Sequence, residues 1–438
     1  MIETNGKNER ALVVGVAFKN SERGQVDEYL DELILLADTA GAKVVRKVVQ
    51  ERQSPDPAHF IGKGKAEEIR QMCGSENIDL VIFDEDLTGV QIRNLENTID
   101  RRVLDRSGLI LDIFGLRART REAKLQVEMA QLKYNMSRLA GQWLHFSKQY
   151  GVIGTRGPGE KQIEVDRRII KKRISTLKQK LDAISDQRDL RRARRNELPK
   201  FALVGYTNAG KSTLMTALSG AETFVENRLF ATLDTFTRKT FLTNSIRCLL
   251  VDTVGFIRKL PPDLVASFKS TLEEVAFADY VIHVVDVSAP SFREQIEVVI
   301  DTLRQLGCGD KPSILVFNKI DRVPNFGVVR SVLNEYKENS VAISAERRIN
   351  INELKEEMLH IMGSDVVEKS FRIRPTQSDK LAKILSVAEL VESSDTPGES
   401  AESLHLKVRM RKKDWEKLKR DIHTNGTRAK HATGSSGS

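Results

Sequence analysis

The sequence contains few cysteines and aromatic residues and has no long apolar run. Of its 438 residues, 6% are aromatic and only Cys73, Cys248 and Cys308 are cysteines. Three scattered cysteines are typical of reduced thiols in a cytosol-like compartment and exclude a disulfide framework. The apolar stretches, such as 280–287, are strand-sized and far short of the roughly 20 residues that a membrane-spanning helix needs. We therefore expect no membrane insertion, and the polar segment 1–10 argues against a secretory signal.

The composition is that of a globular protein with an uneven positive charge. Hydrophobic residues make up 40% and charged residues 30%, and 70 Lys and Arg against 61 Asp and Glu leave a net charge of +9. Residues 161–200 hold 14 basic and 6 acidic side chains, a net of +8, and residues 407–438 hold 10 and 3, a net of +7. These two segments are either solvated surfaces or contact surfaces for nucleic acid phosphates.

The first hundred residues alternate between strand-like and helix-like patterns. Apolar strands are predicted at 11–18, 43–50, 79–84 and 101–105, and helices at 26–40, 65–75 and 89–98. This alternation predicts a small α/β domain over residues 1–106.

Two heptad-like apolar seams follow, one from Leu125 to Trp143 and one from Ile163 to Ile184. Such seams predict two long helices packed on each other. The segment 150–160 between them is too rich in Gly and Pro to continue a helix. We therefore expect an antiparallel helical hairpin at 107–198, with a glycine-rich tip loop at 150–160 that is placed to be inserted into a partner.

A phosphate-binding motif begins a second α/β series. An apolar strand from Phe201 leads into a full match to G-x-x-x-x-G-K-[ST], followed by a helical pattern. In this motif backbone N–H groups surround the phosphates, the Lys neutralises their charge, and the Ser or Thr binds Mg²⁺. The predicted phosphate-binding residues are Gly205, Tyr206, Thr207, Asn208, Ala209, Gly210, Lys211, Ser212 and Thr213. Asn208 is either a turn residue or part of a K⁺ site.

Three further motifs, D-x-x-G, N-K-x-D and S-A, follow in order, each at the end of a strand-like run. A doubly wound sheet brings such ends to one edge. The carboxylate of the second motif selects guanine because it can accept hydrogen bonds from N1–H and N2–H₂, so the predicted substrate is GTP. The residues are Asp252, Thr253, Val254 and Gly255, then Asn318, Lys319, Ile320 and Asp321, and then Ser344, Ala345 and Glu346.

Thr232 is the candidate switch threonine that would hold Mg²⁺ together with Ser212; the alternative is a capping or surface threonine. Its segment comprises Phe230, Ala231, Thr232, Leu233 and Asp234. The predicted catalytic residues are Lys211, Thr232, Asp252 and Gly255. Phe256 follows Gly255, where signalling GTPases carry a water-orienting glutamine, so we expect slow intrinsic hydrolysis.

These patterns predict a multidomain α/β protein. After the α/β domain and the hairpin come a P-loop GTPase domain at 199–364, a small α+β domain at 365–424 and a disordered tail at 425–438.

The chain resembles the HflX family of translational GTPases over about residues 10–422. The resemblance is carried by Phe60–Lys65, Asp105–Phe114, Arg117–Thr120, Arg156–Glu160 and the phosphate-binding and D-x-x-G motifs. It implies a cytoplasmic, monomeric enzyme that associates with ribosomes, binds the large ribosomal subunit and splits stalled ribosomes.

The resemblance further implies that hydrolysis is stimulated by the ribosome and that the hairpin tip contacts rRNA. The implied rRNA-binding residues are Arg156, Gly157, Pro158 and Gly159. Two alternatives stay open: a GTPase for ribosome assembly or RNA modification, and a non-catalytic GTP switch that binds a protein partner.

Overall fold

The computed structural model describes most of the chain and groups it into two compact units. The described residues are 9–18, 23–142, 158–193, 198–220, 229–230, 236–243, 245–259, 274–336, 338–363, 366–374, 377–396 and 403–419. One unit comprises the described residues within 1–195, 225–235 and 253–273, and the other those within 196–224, 236–252 and 274–438. Two short pieces of the predicted GTPase domain thus group with the first unit.

The first unit contains a parallel four-stranded sheet in the order β2-β1-β3-β4. Its strands are β1 (Glu9–Phe18), β2 (Ala42–Arg52), β3 (Leu80–Phe83) and β4 (Arg102–Asp105), and its helices are α1 (Arg23–Thr39), α2 (Lys63–Glu76) and α3 (Gly89–Ile99). All four residues of β3 are buried, as expected for a parallel strand covered on both faces. The strand order reverses between β1 and β3, so their carboxyl ends flank the crevice where such sheets bind ligands.

Three more helices follow in the first unit, α4 (Arg106–Arg117), α5 (Arg121–Gln142) and α6 (Pro158–Ala193). The sequence patterns had not predicted α4. Its N-cap is Asp105, whose side chain accepts a hydrogen bond from the Gly108 amide at 2.8 Å. Helix α6 begins at Pro158, so the last three residues of the predicted tip loop 150–160 are helical; proline suits a first helical turn because its missing N–H needs no partner there. Arg173 of α6 pairs with Glu128 of α5 at 2.6 Å, and Leu177 of α6 is buried.

The second unit contains a six-stranded sheet in the order β10-β9-β8-β5-β7-β6, parallel except for β6. Its strands are β5 (Lys200–Gly205), β6 (Phe236–Phe241), β7 (Arg247–Asp252), β8 (Tyr280–Asp286), β9 (Ser313–Asn318) and β10 (Ser340–Ala342). Its helices are α7 (Lys211–Ser219), α8 (Phe292–Gln305), α9 (Phe326–Glu335) and α10 (Ile351–Ile361). Both faces of the central strands are apolar and packed under helices. Because these strands are parallel, their polar carboxyl ends lie at one edge of the sheet.

The chain continues into an antiparallel sheet of order β11-β13-β12, whose alternating residues Leu406, Val408 and Met410 are buried. Its elements are β11 (Val366–Ile373), α11 (Ser378–Val387), β12 (Glu389–Thr396), β13 (Ser403–Arg411) and a helix at 412–419. The predicted tail 425–438 lies outside the described residues. Among the helices that the structure describes, none is both long and apolar enough to cross a bilayer. The predicted α/β fold class with a P-loop GTPase domain is confirmed.

Candidate functional site

The phosphate-binding motif lies between a buried strand and a helix. Strand β5 ends at Gly205, and α7 starts at Lys211. A Cβ atom on Gly205 would approach the Val284 carbonyl oxygen to 2.2 Å, and one on Gly210 would approach the side-chain nitrogen of Asn318 to 2.3 Å. Gly210 also has φ +95°, a conformation that side chains strain. Both glycines are therefore required by close contacts within this site.

Lys211 is buried and lies over the loop that precedes it. Its Nζ donates hydrogen bonds to the carbonyl oxygens of Gly205 at 3.1 Å and Tyr206 at 2.8 Å. Burial lowers the pKa of Lys211 to about 8, an effect that Asp252 opposes and Lys319 reinforces. A bound phosphate would therefore strengthen the charged form of this lysine.

Ser212 and Asp252 meet although they are 40 positions apart in the sequence. The Ser212 Oγ donates to Asp252 Oδ2 at 2.8 Å, which joins the start of α7 to the end of β7. A hydroxyl and a carboxylate in contact are the protein groups that hold Mg²⁺ in P-loop hydrolases, where phosphate oxygens and water complete its octahedron. Accordingly, the described residues include no group of three or more His, Cys, Asp and Glu that could hold a metal by themselves. The residues fit Mg²⁺ bound together with a nucleotide.

Asn318 connects the phosphate loop to the S-A loop. At 2% exposure, it donates from Nδ2 to the Ala209 carbonyl and accepts at Oδ1 from the Ala345 amide, both at 2.9 Å. Lys319 adopts φ +66° and pairs with Asp286 at 2.6 Å. The two hydrogen bonds of Asn318 thus connect the S-A loop to the loop of the phosphate-binding motif.

Asp321 supplies the acceptor that the guanine hypothesis requires. Its side chain is 8% exposed, and Oδ2 lies 3.6 Å from Nε of Arg347. The other oxygen, Oδ1, is buried and accepts no hydrogen bond from the residues that the structure describes. A buried carboxylate oxygen without a donor is costly, and the N1–H and N2–H₂ donors of guanine would satisfy it. Next to it, Ser344 and Ala345 are buried, and Glu346 pairs with Arg322 at 3.1 Å.

Not every predicted residue is placed in this cluster. Ala231, Thr232, Leu233 and Asp234, and at the tip Arg156 and Gly157, lie outside the described residues. Phe230, Thr253, Val254 and Gly255 belong to the first unit and are buried there. The remaining nucleotide residues, from Gly205–Thr213 to Glu346, are in the second unit.

Two residues of β8 near the phosphate loop were missed by the sequence patterns. Asp286, at the end of the strand, is the partner of Lys319. His283 is 5% exposed, and burial together with the Lys211 charge lowers its pKa to about 3, so its imidazole is neutral. A strand ending in an acidic residue is the only sequence signal that could have indicated Asp286.

Comparison with known proteins agrees with this geometry. Three family models match in succession: GTP-binding GTPase N-terminal at residues 27–115, GTP-binding GTPase Middle Region at 117–195, and 50S ribosome-binding GTPase at 200–319. The GTPase HflX of Caldanaerobacter subterraneus subsp. tengcongensis is 46% identical over 81% of this chain and 81% of its own length. The chain belongs to the HflX family of GTPases.

A second HflX relative, from Escherichia coli K12, is 38% identical over 95% of this chain and 97% of its own length. A crystal structure of a GTP-binding protein from Sulfolobus solfataricus in complex with GDP is 26% identical, covers 81% of this chain and 98% of that one, and has a TM-score of 0.43. The predicted HflX family and GTP-hydrolysing activity are confirmed. This HflX GTPase binds guanine nucleotide in its P-loop domain.

Proposed function

We propose that this GTPase binds the large ribosomal subunit through rRNA and uses GTP to split or rescue stalled ribosomes. The observation that carries the proposal is the exposed basic surface of α6. Between 164 and 184, the only buried side chain is that of Leu177, and 7 basic residues against 3 acidic ones give a net charge of +4. Such a surface suits an rRNA backbone because binding it releases counterions. The family model matched by residues 200–319 is described as a 50S ribosome-binding GTPase.

The length of α6 suits an arm that is inserted into a partner. Helix α6 has 36 residues, which at about 1.5 Å per residue extends about 54 Å. We assign the rRNA contacts at its end to Arg156, Gly157, Pro158 and Gly159. Pro158 and Gly159 form the start of α6, and the backbone of Gly159 can approach a phosphate closely because glycine has no side chain.

Within the nucleotide site, we assign Mg²⁺ to Ser212 and Thr232, with Asp252 orienting its shell. When bound, Mg²⁺ supplies charge neutralisation on the β- and γ-phosphates. Lys211 and the loop amides stabilise the charge on the transferred group. Asn208, exposed and at φ +60°, is assigned to K⁺; equal GTP turnover in equimolar KCl and NaCl would discard that assignment.

Sedimentation of intact ribosomes tests the central proposal. Saturating protein with a non-hydrolysable GTP analogue should convert 70S particles into subunits, while GDP should not. An assembly or RNA-modification GTPase would leave intact ribosomes joined. Binding to the large subunit should weaken steeply with salt; a weak salt dependence would point to a protein partner.

The hairpin variant Arg156→Ala/Gly157→Ala should reduce ribosome-stimulated GTP turnover and leave the affinity for GTP unchanged. Arg304→Ala, on the exposed surface of α8, is the matched control and should change neither. Unchanged stimulation in the hairpin variant would contradict the assigned contacts. We expect this protein to act as a monomer in the cytoplasm, associated with ribosomes. Pelleting ribosomes from lysate checks the association.

A further inference from the structure

The segment after the D-x-x-G motif is bound at the edge of the N-terminal sheet. Arg258 donates from a terminal guanidinium nitrogen to Asp84 Oδ2 at 3.0 Å, and Lys259 Nζ reaches the same oxygen at 3.4 Å. Asp84 follows β3 directly and is 4% exposed. Its other oxygen accepts a hydrogen bond from Arg106 at 2.7 Å. This edge is the crevice of the strand-order reversal, where open parallel sheets bind ligands.

Six charged residues make up this contact, the Asp84 cluster: Glu32, Asp84, Glu85, Arg106, Arg258 and Lys259. Arg106, 1% exposed, pairs with Glu32 as well as Asp84, and Lys259 pairs with Glu85. Three carboxylates thus face three cations, so the buried charges of Asp84 and Arg106 are paired.

Backbone and ring contacts add to the charges. Arg106 Nε donates to the Arg258 carbonyl at 3.3 Å, and the Arg258 guanidinium carbon lies 3.2 Å from the centroid of the Tyr29 ring. A planar guanidinium can make the stack and the carboxylate hydrogen bond together, whereas a lysine ammonium cannot. The geometry therefore selects arginine at position 258.

The segment before Thr232 contacts the end of helix α4, the helix whose first turn contains Arg106. The Phe230 and Phe114 rings meet edge to face with centroids 4.6 Å apart, and Phe230 is 3% exposed. Phe230 has φ +53° and Lys259 has φ +54°. Left-handed backbone at bulky residues persists where surrounding contacts impose it, as in switch segments. Helix α4 thus contacts two segments. Arg106 in its first turn contacts the segment after the D-x-x-G motif, and Phe114 near its end contacts the segment before Thr232.

We propose that Asp84 and Arg106 are positioning residues for GTP hydrolysis, acting through Arg258 on the segment 253–257. Arg258 is three residues from Gly255, and three residues span at most about 11 Å. Fixing Arg258 therefore restricts where the Gly255 amide can lie. Ordering this segment before reaction lowers the entropy that the transition state must otherwise lose. The phosphate and guanine contacts are made by other residues, so the cluster acts on turnover rather than on nucleotide affinity.

The test is single-turnover GTP hydrolysis by the full chain without ribosomes, together with titration of a fluorescent GTP analogue. Because no ribosome is present, the outcome is independent of the proposed ribosomal role. Arg258→Ala should lower the hydrolysis rate about 10- to 100-fold, with the Kd for the analogue within about twofold of the parent. Arg258→Lys, which keeps the charge opposite Asp84, should recover part of the rate. Asp84→Asn, which is nearly isosteric, should lower the hydrolysis rate in the same way because it removes the charge that Arg258 contacts.

Arg293→Ala is the matched control because Arg293 makes an exposed ion pair with Glu335 at 2.7 Å outside the cluster. Its rate should equal that of the parent. Thermal unfolding of every variant separates loss of fold from loss of turnover. A hydrolysis rate that is unchanged or raised in Arg258→Ala would overturn the proposal, and so would a Kd that weakens in step with the rate.

Discussion

Asn318 offers the most direct test of how the nucleotide site is held together. Its side chain, 2% exposed, makes two hydrogen bonds of 2.9 Å, one to the Ala209 carbonyl and one from the Ala345 amide. Replacement by Ala removes both and leaves a buried carbonyl and a buried amide without these partners. Two neutral hydrogen bonds contribute about 1–3 kcal/mol together, and the unsatisfied partners extend the cost to about 2–6 kcal/mol.

Because Ala209 and Ala345 are in the loops to which we assign the phosphate and base contacts, we expect part of this cost to appear in nucleotide affinity. The part that affects binding should be about 1–3 kcal/mol, the contribution of the two hydrogen bonds themselves, which corresponds to Kd values roughly 5- to 150-fold higher. Titration of a fluorescent GDP analogue measures this directly. Asn318→Asp should be at least as damaging, since it retains the acceptor for Ala345 but places negative charge against the Ala209 carbonyl.

Asn325→Ala is the matched control. Asn325 caps α9 by accepting a hydrogen bond from the Gly327 amide at 2.8 Å. Losing that cap should cost about 1 kcal/mol of the free energy of unfolding without changing nucleotide affinity. If Asn318→Ala is folded and binds GDP within about twofold of the parent, the two hydrogen bonds do not organise the site and the reasoning fails.

Three further outcomes follow from the same site. Burial lowers the pKa of Lys211 from 10.5 to about 8, so nucleotide affinity should fall as the pH rises above 8. Over the interval from pH 8 to 10.5 the unfolded chain binds more protons, so this group should make the free energy of unfolding rise with pH. Urea unfolding with Lys211→Met as reference isolates this effect, and titration of a GDP analogue across the same pH range measures the change in affinity. Asp321→Asn should weaken GTP binding by about 3–6 kcal/mol through two charge-assisted hydrogen bonds and improve competition by XTP. Gly210→Ala should abolish nucleotide binding because its Cβ would lie 2.3 Å from Asn318, while Gly220→Ala, with no atom within 4 Å, should cost only the left-handed strain of about 1–2 kcal/mol.

The nucleotide motifs could be predicted from the sequence because each combines a local pattern with a fixed place in the topology. The motif Asn318-Lys319-Ile320-Asp321 begins at the last residue of β9. Its polar side chains therefore lie at the carboxyl edge of the parallel sheet, where such sheets bind ligands. The same argument predicted Asp252 beside the phosphate loop, and in the structure its side chain accepts a hydrogen bond from Ser212.

Helix α4 could not be predicted in the same way because it is stabilised by contacts with residues that are distant in the sequence. Its residues Leu109, Ile110, Leu111, Ile113 and Phe114 are all buried, so no amphipathic period is visible. Arg106 in its first turn is an unusual residue to bury, and the carboxylates of Glu32 and Asp84, 74 and 22 positions away, compensate its charge. Asp286 was missed for a related reason, since its partner Lys319 is 33 positions away.

The distribution of contacts implies that nucleotide binding and the response to it can be altered separately. The residues to which we assign the phosphate and guanine contacts are connected to one another within the second unit, through Asn318 and through the hydrogen bond of Ser212 with Asp252. The segment that starts at Thr253 has its contacts in the first unit instead, through Arg258. A substitution in the first group should therefore change Kd before it changes turnover, and a substitution in the second should do the reverse.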